Sequence, residues 1–320
     1  MNFLQQGFKG KNDFWMYFVM FIVIFFTSVL GQLPLGIYAL MKVDGNMEKW
    51  QQSGASNFAD IGIDSTLYLF LLLLSFIVPF LVFIPALKGM HKKKIKWIVT
   101  SRNNIDWKRV GFGALVWGTI VIASTSIDLF LSPENYVWNF KLEKFLVLFI
   151  VALICIPIQT TFEEILFRGY YMQGLAVWLK NKWLPLIIMS CVFGLLHGLN
   201  PEVAKLGYEL LIFYIASGFF FGIVTLLDEG AEIAIGMHAI NNLIAALFIT
   251  ANWTVFQTDA LYVDVSEPSI SFEMFLPVLV LYPLTIFILS KKYGWKNWKD
   301  KLFGDLKQPT DEALIDEIGS

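Results

Sequence analysis

Two adjacent carboxylates and an arginine lie inside one of the most apolar parts of this chain. Residues 160–174 read TTFEEILFRGYYMQG, and the stretch 145–158 before them contains no charged side chain. An ionisable group inside such a segment is costly unless it is paired or has a function. On a helix, Glu164 and Arg168 are four residues apart and can pair, whereas Glu163 points about 100° away. The spacing predicts one structural ion pair and one carboxylate, Glu163, that faces a cavity. The alternative is that all three groups form one packed and satisfied cluster.

Two of the three histidines also lie inside apolar segments. His197 ends the stretch FGLLH, four residues after Phe193, and His238 begins HAINN, with Asn242 on the same helical face and Asn241 beside it. Either histidine alone is more often a hydrogen-bonding partner between helices. Together with the cavity-facing carboxylate, these groups supply a base, two imidazoles and an amide donor. Such a set can activate water and stabilise an oxyanion.

The elements that must position these groups are membrane-spanning helices. The chain has 320 residues, of which 57% are hydrophobic and 16% charged, with a mean hydropathy of +0.62. Several apolar runs reach the length that crosses a bilayer. The net charge of −2 gives no sign of nucleic-acid binding. We therefore predict an all-α, polytopic membrane helical bundle of about eight transmembrane helices, with spans at about 14–40, 66–89, 111–131, 145–178, 183–199, 206–227, 231–252 and 274–290.

The fourth predicted span is too long for one straight crossing. We expect Pro157 to kink it and the part after Arg168 to lie partly in the membrane interface. The two cysteines, Cys155 and Cys191, both lie in apolar segments. Their spacing fits neither a disulfide framework nor a pair of zinc ligands, so we interpret both as small core residues.

The distribution of basic residues predicts the orientation. With eight spans, 18 of the 24 Lys and Arg residues fall on the side of both termini and five on the opposite side. Because cytoplasmic loops are enriched in Lys and Arg, both termini and the basic loop 90–109 are predicted to be cytoplasmic, in a multi-pass protein of the cell membrane. His91 lies in that basic loop and is expected to be solvated.

Three motifs together are similar to those of the CPBP family of intramembrane endopeptidases. This family is also called Abi and includes the CAAX prenyl-protein endopeptidases. It carries EExxxR, FxxxH and HxxxN/D on successive core helices. This chain has EEILFR at 163–168, FGLLH at 193–197 and HAINN at 238–242, in the same order. The resemblance covers about 145–252.

The resemblance implies a role for each motif residue. Glu163 corresponds to the catalytic glutamate and His197 to its partner, which together hold and deprotonate the attacking water. His238 and Asn242 correspond to the pair that stabilises the oxyanion. The supporting positions are Glu164, Arg168, Phe193 and Asn241.

The predicted spans and the resemblance together divide the chain into four parts, and residues 1–140 and the tail match no motif of the family. The catalytic core, CAAX-protease-like, occupies 141–255 and corresponds to spans four to seven. Residues 1–140 form the first three spans with the basic cytoplasmic loop, 256–299 an outer loop and the last span, and 300–320 a polar, loosely ordered cytoplasmic tail.

The predicted chemistry needs no cofactor. The chain lacks the HExxH arrangement, which puts two histidine ligands one turn apart, and this favours a glutamate-activated water without bound metal. Glu163, His197 and His238 can still meet a metal ion in space, so a zinc site remains an alternative.

The predicted function is hydrolysis of membrane-associated peptides or proteins within the lipid bilayer. Bacterial members of the family are tied to bacteriocin processing and self-immunity, and peptide precursors suit a site that faces the cytoplasm. A catalytically silent scaffold or regulator of the same fold is the main alternative. A small transporter is disfavoured because no internal repeat is visible.

Overall fold

The structure, a computed structural model, describes residues 1–54, 58–270 and 272–310. Residues 311–320 of the predicted tail lie outside the described residues. The chain is predominantly helical, as predicted. The α-helices are α1 (Phe14–Lys42), α2 (Met47–Gly54), α3 (Ser65–Ala86), α4 (Ile95–Val99), α5 (Trp107–Leu131), α6 (Leu142–Glu164), α7 (Met172–Leu179), α8 (Trp183–Leu196), α9 (Pro201–Leu206), α10 (Leu210–Asp228), α11 (Glu232–Leu247), α12 (Tyr282–Tyr293) and α13 (Trp298–Leu302).

Shorter segments of other helical types join or extend these helices. The 3₁₀ segments are Leu4–Phe8, Ala59–Ile61, Pro133–Asn135, His197–Leu199 and Phe272–Phe275. The π-helical segments are Leu87–His91, Ile165–Tyr171 and Pro277–Leu281.

Five helical segments of the described residues are long and apolar enough to cross a membrane. They are Phe14–Lys42, Ser65–His91, Trp107–Leu131, Leu142–Leu179 and Leu210–Asp228. Two further apolar helices are shorter, Trp183–Leu199 and Glu232–Leu247. The predicted fold class, an all-α polytopic bundle, is confirmed. The number of crossings stays a prediction, because Trp183–Leu199 and Glu232–Leu247 are shorter than the five long segments, and α12 covers only part of the predicted span 274–290.

The fourth predicted span is one unbroken helical segment, and it contains an irregularity that was not predicted. The helix stays α-helical through Pro157 and changes to π-helical hydrogen bonding at Ile165–Tyr171, directly after the two glutamates. Gly169 in this segment packs against the backbone of Ile98, and a Cβ at this position would overlap the Ile98 carbonyl oxygen. The π segment therefore brings the helix close to α4. Such segments are frequent at functional sites.

The long helices pack as a chain of neighbours. Helix α1 packs on α3, α3 on α6, α6 on α11, and α11 on α5, while α8 packs on α10. Small residues allow the closest approaches, as is usual between helices in membranes. At Gly236 of α11, for example, a Cβ would overlap the carbonyl oxygen of Val110 in α5. This packing places the three motif-bearing helical segments side by side.

The segments predicted to be cytoplasmic come together at one end of the bundle, which we call the lysine-rich end. The backbone N–H of Phe3 donates to Glu229 Oε2 at 2.7 Å. The backbone N–H of Leu306 donates to the Lys180 carbonyl oxygen at 2.9 Å. The N-terminal turn and the segment around Leu306 therefore lie at the same end as the loop after α10. This agrees with an even number of crossings, whereas the side of the membrane stays a prediction.

An ionic network fastens the lysine-rich end. Arg102 lies 3.0 Å from the Asp228 carboxylate and 3.2 Å from that of Glu232. Arg109 also pairs with Asp228, and the Trp295 indole N–H donates to the same carboxylate at 3.0 Å. The loop before α5, the turn between α10 and α11, and the C-terminal segment are thereby joined.

The opposite end carries a small sheet, and we call it the sheet end. Its strands are β1 (Tyr136–Trp138), β2 (Ile249–Ala251) and β3 (Tyr262–Asp264), in the order β1-β3-β2. Strand β3 pairs antiparallel with β1 and parallel with β2. The sheet was not predicted, because each strand has only three residues.

Two expectations about the lysine-rich end were wrong. Residues 300–306 are packed and not loose, since Leu302 and Leu306 are buried against the bundle. His91 is buried and not solvated: Nε2 lies 2.6 Å from the Tyr170 hydroxyl and Nδ1 lies 2.9 Å from the Lys11 carbonyl oxygen. In both cases, the residues that cover these side chains are distant from them in the sequence.

Lys93 is a buried cation next to this histidine. Its Nζ donates to Gly7 O at 2.9 Å and to Asn12 Oδ1 at 2.7 Å, and lies 3.3 Å from the Tyr17 hydroxyl. Among the described residues, no carboxylate lies within ion-pair distance of Nζ. Burial lowers the pKa of the Lys93 ammonium from 10.5 to about 7.

This burial predicts a pH dependence of stability. Between pH 7 and about 10 the unfolded state keeps the Lys93 proton that the folded state has released, so stability should rise with pH by up to roughly 1.4 kcal/mol per unit. Lys93→Met should remove this rise and should increase the melting temperature most below pH 7. Thermal unfolding in detergent across this range measures both effects. The exposed neighbour Lys94, changed to Met, is the control, and an unaltered pH dependence in Lys93→Met would contradict the prediction.

Candidate active site

The end of α6 and the π segment after it carry a buried cluster of four ionisable groups. Arg168 Nη1 lies 3.1 Å from Glu164 Oε1, so the predicted ion pair is present. His238 of α11 contacts both glutamates: Nδ1 lies 2.7 Å from Glu164 Oε1 and Nε2 lies 3.5 Å from Glu163 Oε2. We call Glu163, Glu164, Arg168 and His238 the charged cluster. The structure therefore brings the first and third motifs into direct contact.

The charged cluster can be electrically balanced. A carboxylate only accepts hydrogen bonds, so an imidazole with a proton on each ring nitrogen satisfies both glutamates through His238. In that form the two carboxylates, the guanidinium and the imidazolium have formal charges that sum to zero. Balance matters here because an uncompensated charge in a low-dielectric interior is costly.

The two adjacent carboxylates have different surroundings. The side chain of Glu164 is 0% exposed and lies between Arg168 and His238, whereas the side chain of Glu163 is 12% exposed. Glu164 is thus enclosed by its partners, and Glu163 keeps an accessible edge. The division between a structural carboxylate and a cavity-facing one stays a prediction.

Aromatic rings enclose the cations of the charged cluster. The Arg168 guanidinium lies 4.2 Å from the centre of the Phe193 ring. The His238 ring stacks on Phe221 at a centroid distance of 5.0 Å and an angle of 17°. Rings of this kind hold a guanidinium or imidazolium by cation–π attraction and exclude water from it. Phe193, predicted as a supporting residue, packs its ring on the Arg168 guanidinium.

Amide side chains line the edge next to Glu163. Asn241 accepts from the Trp117 indole N–H at 3.1 Å and donates to Asn242 Oδ1 at 3.2 Å. Asn242 in turn donates to Gln159 Oε1 at 3.3 Å, a long bond. Gln159 lies one turn before Glu163 on the same face of α6. The Asn242 amide is therefore held between Asn241 and Gln159, and Gln159 lies one helical turn from Glu163.

His197 lies apart from the charged cluster. Its Nδ1 lies 2.7 Å from the Phe193 carbonyl oxygen, and its ring stacks on Tyr214 at 4.3 Å between centroids. The Tyr214 hydroxyl donates to Glu202 Oε1 at 2.6 Å. Within the part of the chain that the structure describes, no hydrogen bond or ion pair joins His197 to Glu163. His238, and not His197, is the imidazole in contact with the glutamates.

The hydrogen bond between His197 and Phe193 fixes which ring nitrogen of His197 carries the proton. A carbonyl oxygen accepts only, so Nδ1 carries the proton in the bond to Phe193. The other nitrogen of the neutral ring, Nε2, is then an acceptor that can hold a water molecule.

Sequence reasoning missed three residues around the motifs. Gln159 had a signal, since it precedes Glu163 by one helical turn. Tyr214 and Glu202 had none, because they reach His197 from α10 and α9 through tertiary packing. Gln159 accepts a hydrogen bond from Asn242. Tyr214, which is hydrogen-bonded to Glu202, stacks on the His197 ring.

The side chains of the predicted alternative metal site are not joined into one cluster. Glu163 and His238 are adjacent, but no contact joins His197 to them. Among the described residues, no group of three or more His, Cys, Asp or Glu side chains is arranged to hold a metal ion.

With the geometry established, comparison with known proteins identifies the family. The chain belongs to the Rce1-like family: the description "Type II CAAX prenyl endopeptidase Rce1-like" matches residues 142–244, which contain all three motifs. The chain is also similar to "Uncharacterized protein YyaK" of Bacillus subtilis (strain 168), with 30% identity over 257 residues, covering 80% of this chain and 85% of that protein. No solved structure matches the chain. The family assignment from three short motifs is confirmed.

Proposed function

We propose that this protein is an intramembrane endopeptidase in which Glu163 activates water. The observation that carries the proposal is the difference between two neighbours: Glu164 is fully buried between Arg168 and His238, whereas the Glu163 side chain is 12% exposed. A purely structural cluster has no need for this asymmetry. Membership of a family of endopeptidases supports the same activity.

Each step of hydrolysis has a residue to perform it. Glu163 takes a proton from water as the water oxygen attacks the carbonyl carbon of the peptide bond, and His197 Nε2 holds that water. The carbonyl oxygen becomes an oxyanion, which the Asn242 amide and the His238 imidazolium stabilise. Glu163 then gives its proton to the amide nitrogen, and the C–N bond breaks. The Asn242 amide can turn to the oxyanion because its present bond to Gln159 is long.

The substrate class we propose is a peptide or protein segment held in the membrane. The site is surrounded by apolar helices, so a soluble peptide would reach it only with difficulty. Since a similar protein occurs in a bacterium, precursors of secreted peptides, including bacteriocins, fit this class. Comparing membrane and secreted peptides from cells with the wild type and with Glu163→Ala would identify the natural substrate.

One observation favours a second candidate, a catalytically silent scaffold or regulator such as an immunity protein. His197 does not contact Glu163 in this structure, and in a scaffold it would only support Tyr214. Activity of the purified protein separates the two candidates.

Asn242→Ala is expected to lower turnover by about 10²–10³, the scale for one hydrogen bond to an oxyanion. The protein level should not change, because the amide is half-buried and carries no charge. Cleavage of a defined membrane peptide by purified protein measures this effect. The matched control is Asn139→Ala, which removes a half-buried amide at the sheet end.

Two results would contradict the proposal. Full turnover in Asn242→Ala would remove the oxyanion role and favour the scaffold. Loss of cleavage with a chelator, restored by zinc, would make Glu163 and the histidines metal ligands.

A further inference from the structure

A tryptophan of α5 donates a hydrogen bond to the amide side chains of the candidate active site. The Trp117 side chain is buried, and its indole N–H donates to Asn241 Oδ1 at 3.1 Å. Helix α5 precedes residues 142–244, the segment that matches the family. The donor therefore comes from a helix outside the segment that defines the family.

Close packing fixes the position of this indole. The next residue, Gly118, lies against α11, where a Cβ would be 2.8 Å from Cγ1 of Ile240. Ile240 directly precedes the asparagine that accepts from the indole. The Trp117 ring also packs on Phe220 and Tyr282, with centroids 5.2 and 5.6 Å away. The direction of the indole N–H is therefore set by three neighbouring helices.

The amides continue this hydrogen bond as a chain towards the catalytic glutamate. Asn241 Nδ2 donates to Asn242 Oδ1 at 3.2 Å, and Asn242 Nδ2 donates to Gln159 Oε1 at 3.3 Å. Gln159 is in turn hydrogen-bonded to the Glu163 side chain. We call Asn241, Asn242 and Gln159 the amide chain.

The two ends of the amide chain set its direction. A side-chain amide can be turned by 180°, so its orientation follows from its partners. An indole N–H only donates, so Asn241 must turn its oxygen to Trp117 and its NH₂ group to Asn242. By the same rule, Asn242 turns its NH₂ group to Gln159. The Glu163 carboxylate only accepts, which requires the same direction from the other end.

The glutamate end loses this control during the proposed reaction. When Glu163 has taken a proton from water, it can donate as well as accept, and it no longer requires one direction. Trp117 is then the end that still does. The direction matters because Asn242 must present its NH₂ group to the oxyanion. A reversed amide would present its oxygen and repel the negative charge.

We propose that Trp117 is a positioning residue, which holds the Asn242 amide in the orientation that stabilises the oxyanion. The proposal rests on the proposed function and adds to it a residue that touches neither the water nor the substrate. It also gives α5, the third predicted span, a part in the active site.

A double-mutant cycle tests this role. Trp117→Phe keeps an aromatic ring but removes the donor, and it should lower kcat about tenfold, the scale of one neutral hydrogen bond, with KM unchanged. In the Asn242→Ala background the same change should have no further effect, because no amide is left to orient. An equal loss of kcat in both backgrounds, or no loss in either, would overturn the proposal.

Two further variants guard against an effect of packing alone. Trp178→Phe removes a half-buried indole that donates to the Asn12 carbonyl oxygen at 3.0 Å, and it should leave kcat unchanged. Asn241→Leu interrupts the amide chain at its next member and replaces Trp117→Phe if that variant is not produced. It should show the same loss of kcat and the same absence of a further effect with Asn242→Ala.

The hydrogen bond from Trp117 is measurable without proteolysis. In protein labelled with ¹⁵N-tryptophan, the indole N–H signal of Trp117 is identified by its loss in Trp117→Phe. Asn241→Asp replaces the accepting amide by a carboxylate, a stronger acceptor, and should move this signal downfield. Asn139→Ala, at the sheet end, should not move it.

These measurements separate the failure of the proposal from the failure of the proposed function. An indole signal that does not move in Asn241→Asp would overturn the proposal whatever the activity. If the wild type cleaves no peptide, the proposed function fails, while a moved signal still supports the oriented amide chain. If the wild type cleaves and the cycle shows no coupling, the proposed function stands and the role of Trp117 fails.

Discussion

Purified protein with Glu163→Gln is expected to lose peptide cleavage and to keep the membrane level of the wild type. The substitution preserves the size of the side chain but removes the base, and general bases contribute about 10²–10⁴ to rate. Folding should tolerate the change because Glu163 is the more exposed of the two glutamates and its His238 contact is 3.5 Å long. Cleavage of a defined membrane peptide, together with the melting temperature in detergent, measures both outcomes.

The control for this experiment is the neighbouring residue. Glu164→Gln removes a carboxylate of the same kind one position away, but it leaves Arg168 without its ion-pair partner. We expect that variant to lose protein yield before it loses specific activity. If Glu163→Gln reduces the yield and Glu164→Gln reduces only the turnover, the two roles are reversed.

Arg168→Met is expected to destabilise the protein by about 3–5 kcal/mol, the cost of breaking a buried ion pair by removing one partner. Arg168 is 3% exposed. It is one of the two basic members of the charged cluster, and His238 is the other. Its removal leaves two buried carboxylates with one imidazolium. Yield and unfolding in detergent are the measurements.

A double variant separates loss of charge balance from loss of packing. Arg168→Met combined with Glu164→Gln restores the balance of the cluster and should recover part of the lost stability. The Arg168 contact with Phe193 is lost in both variants, so recovery cannot come from that ring. Equal destabilisation in the single and double variants would show that packing, and not charge, makes Arg168 necessary.

The local part of this site was predictable from the sequence. The spacing of Glu164 and Arg168 predicts their pair, because residues four apart on a helix are neighbours. Apolar runs of bilayer length predict the helices. The motifs then identify the family even though each motif has only five or six residues.

The contacts between residues of different helices were not predictable in the same way. The contact between His238 and Glu164 joins residues 74 positions apart, and no helical spacing relates them. The family resemblance assigned His197 as the partner of Glu163, and the contact of His238 with Glu163 was not predicted. The burial of His91 and Lys93 was not predicted, because a run of basic residues usually indicates a solvated loop.

The balanced charged cluster has a consequence for a membrane under voltage. An electric potential across the membrane acts on net charge, with about 2.3 kcal/mol per elementary charge per 100 mV. With His238 protonated, the four formal charges cancel, so the field exerts no net force on the site. In the proposed reaction the proton gained by Glu163 offsets the negative charge of the oxyanion, and the cancellation persists. Hydrolysis should then proceed equally in energised and de-energised cells.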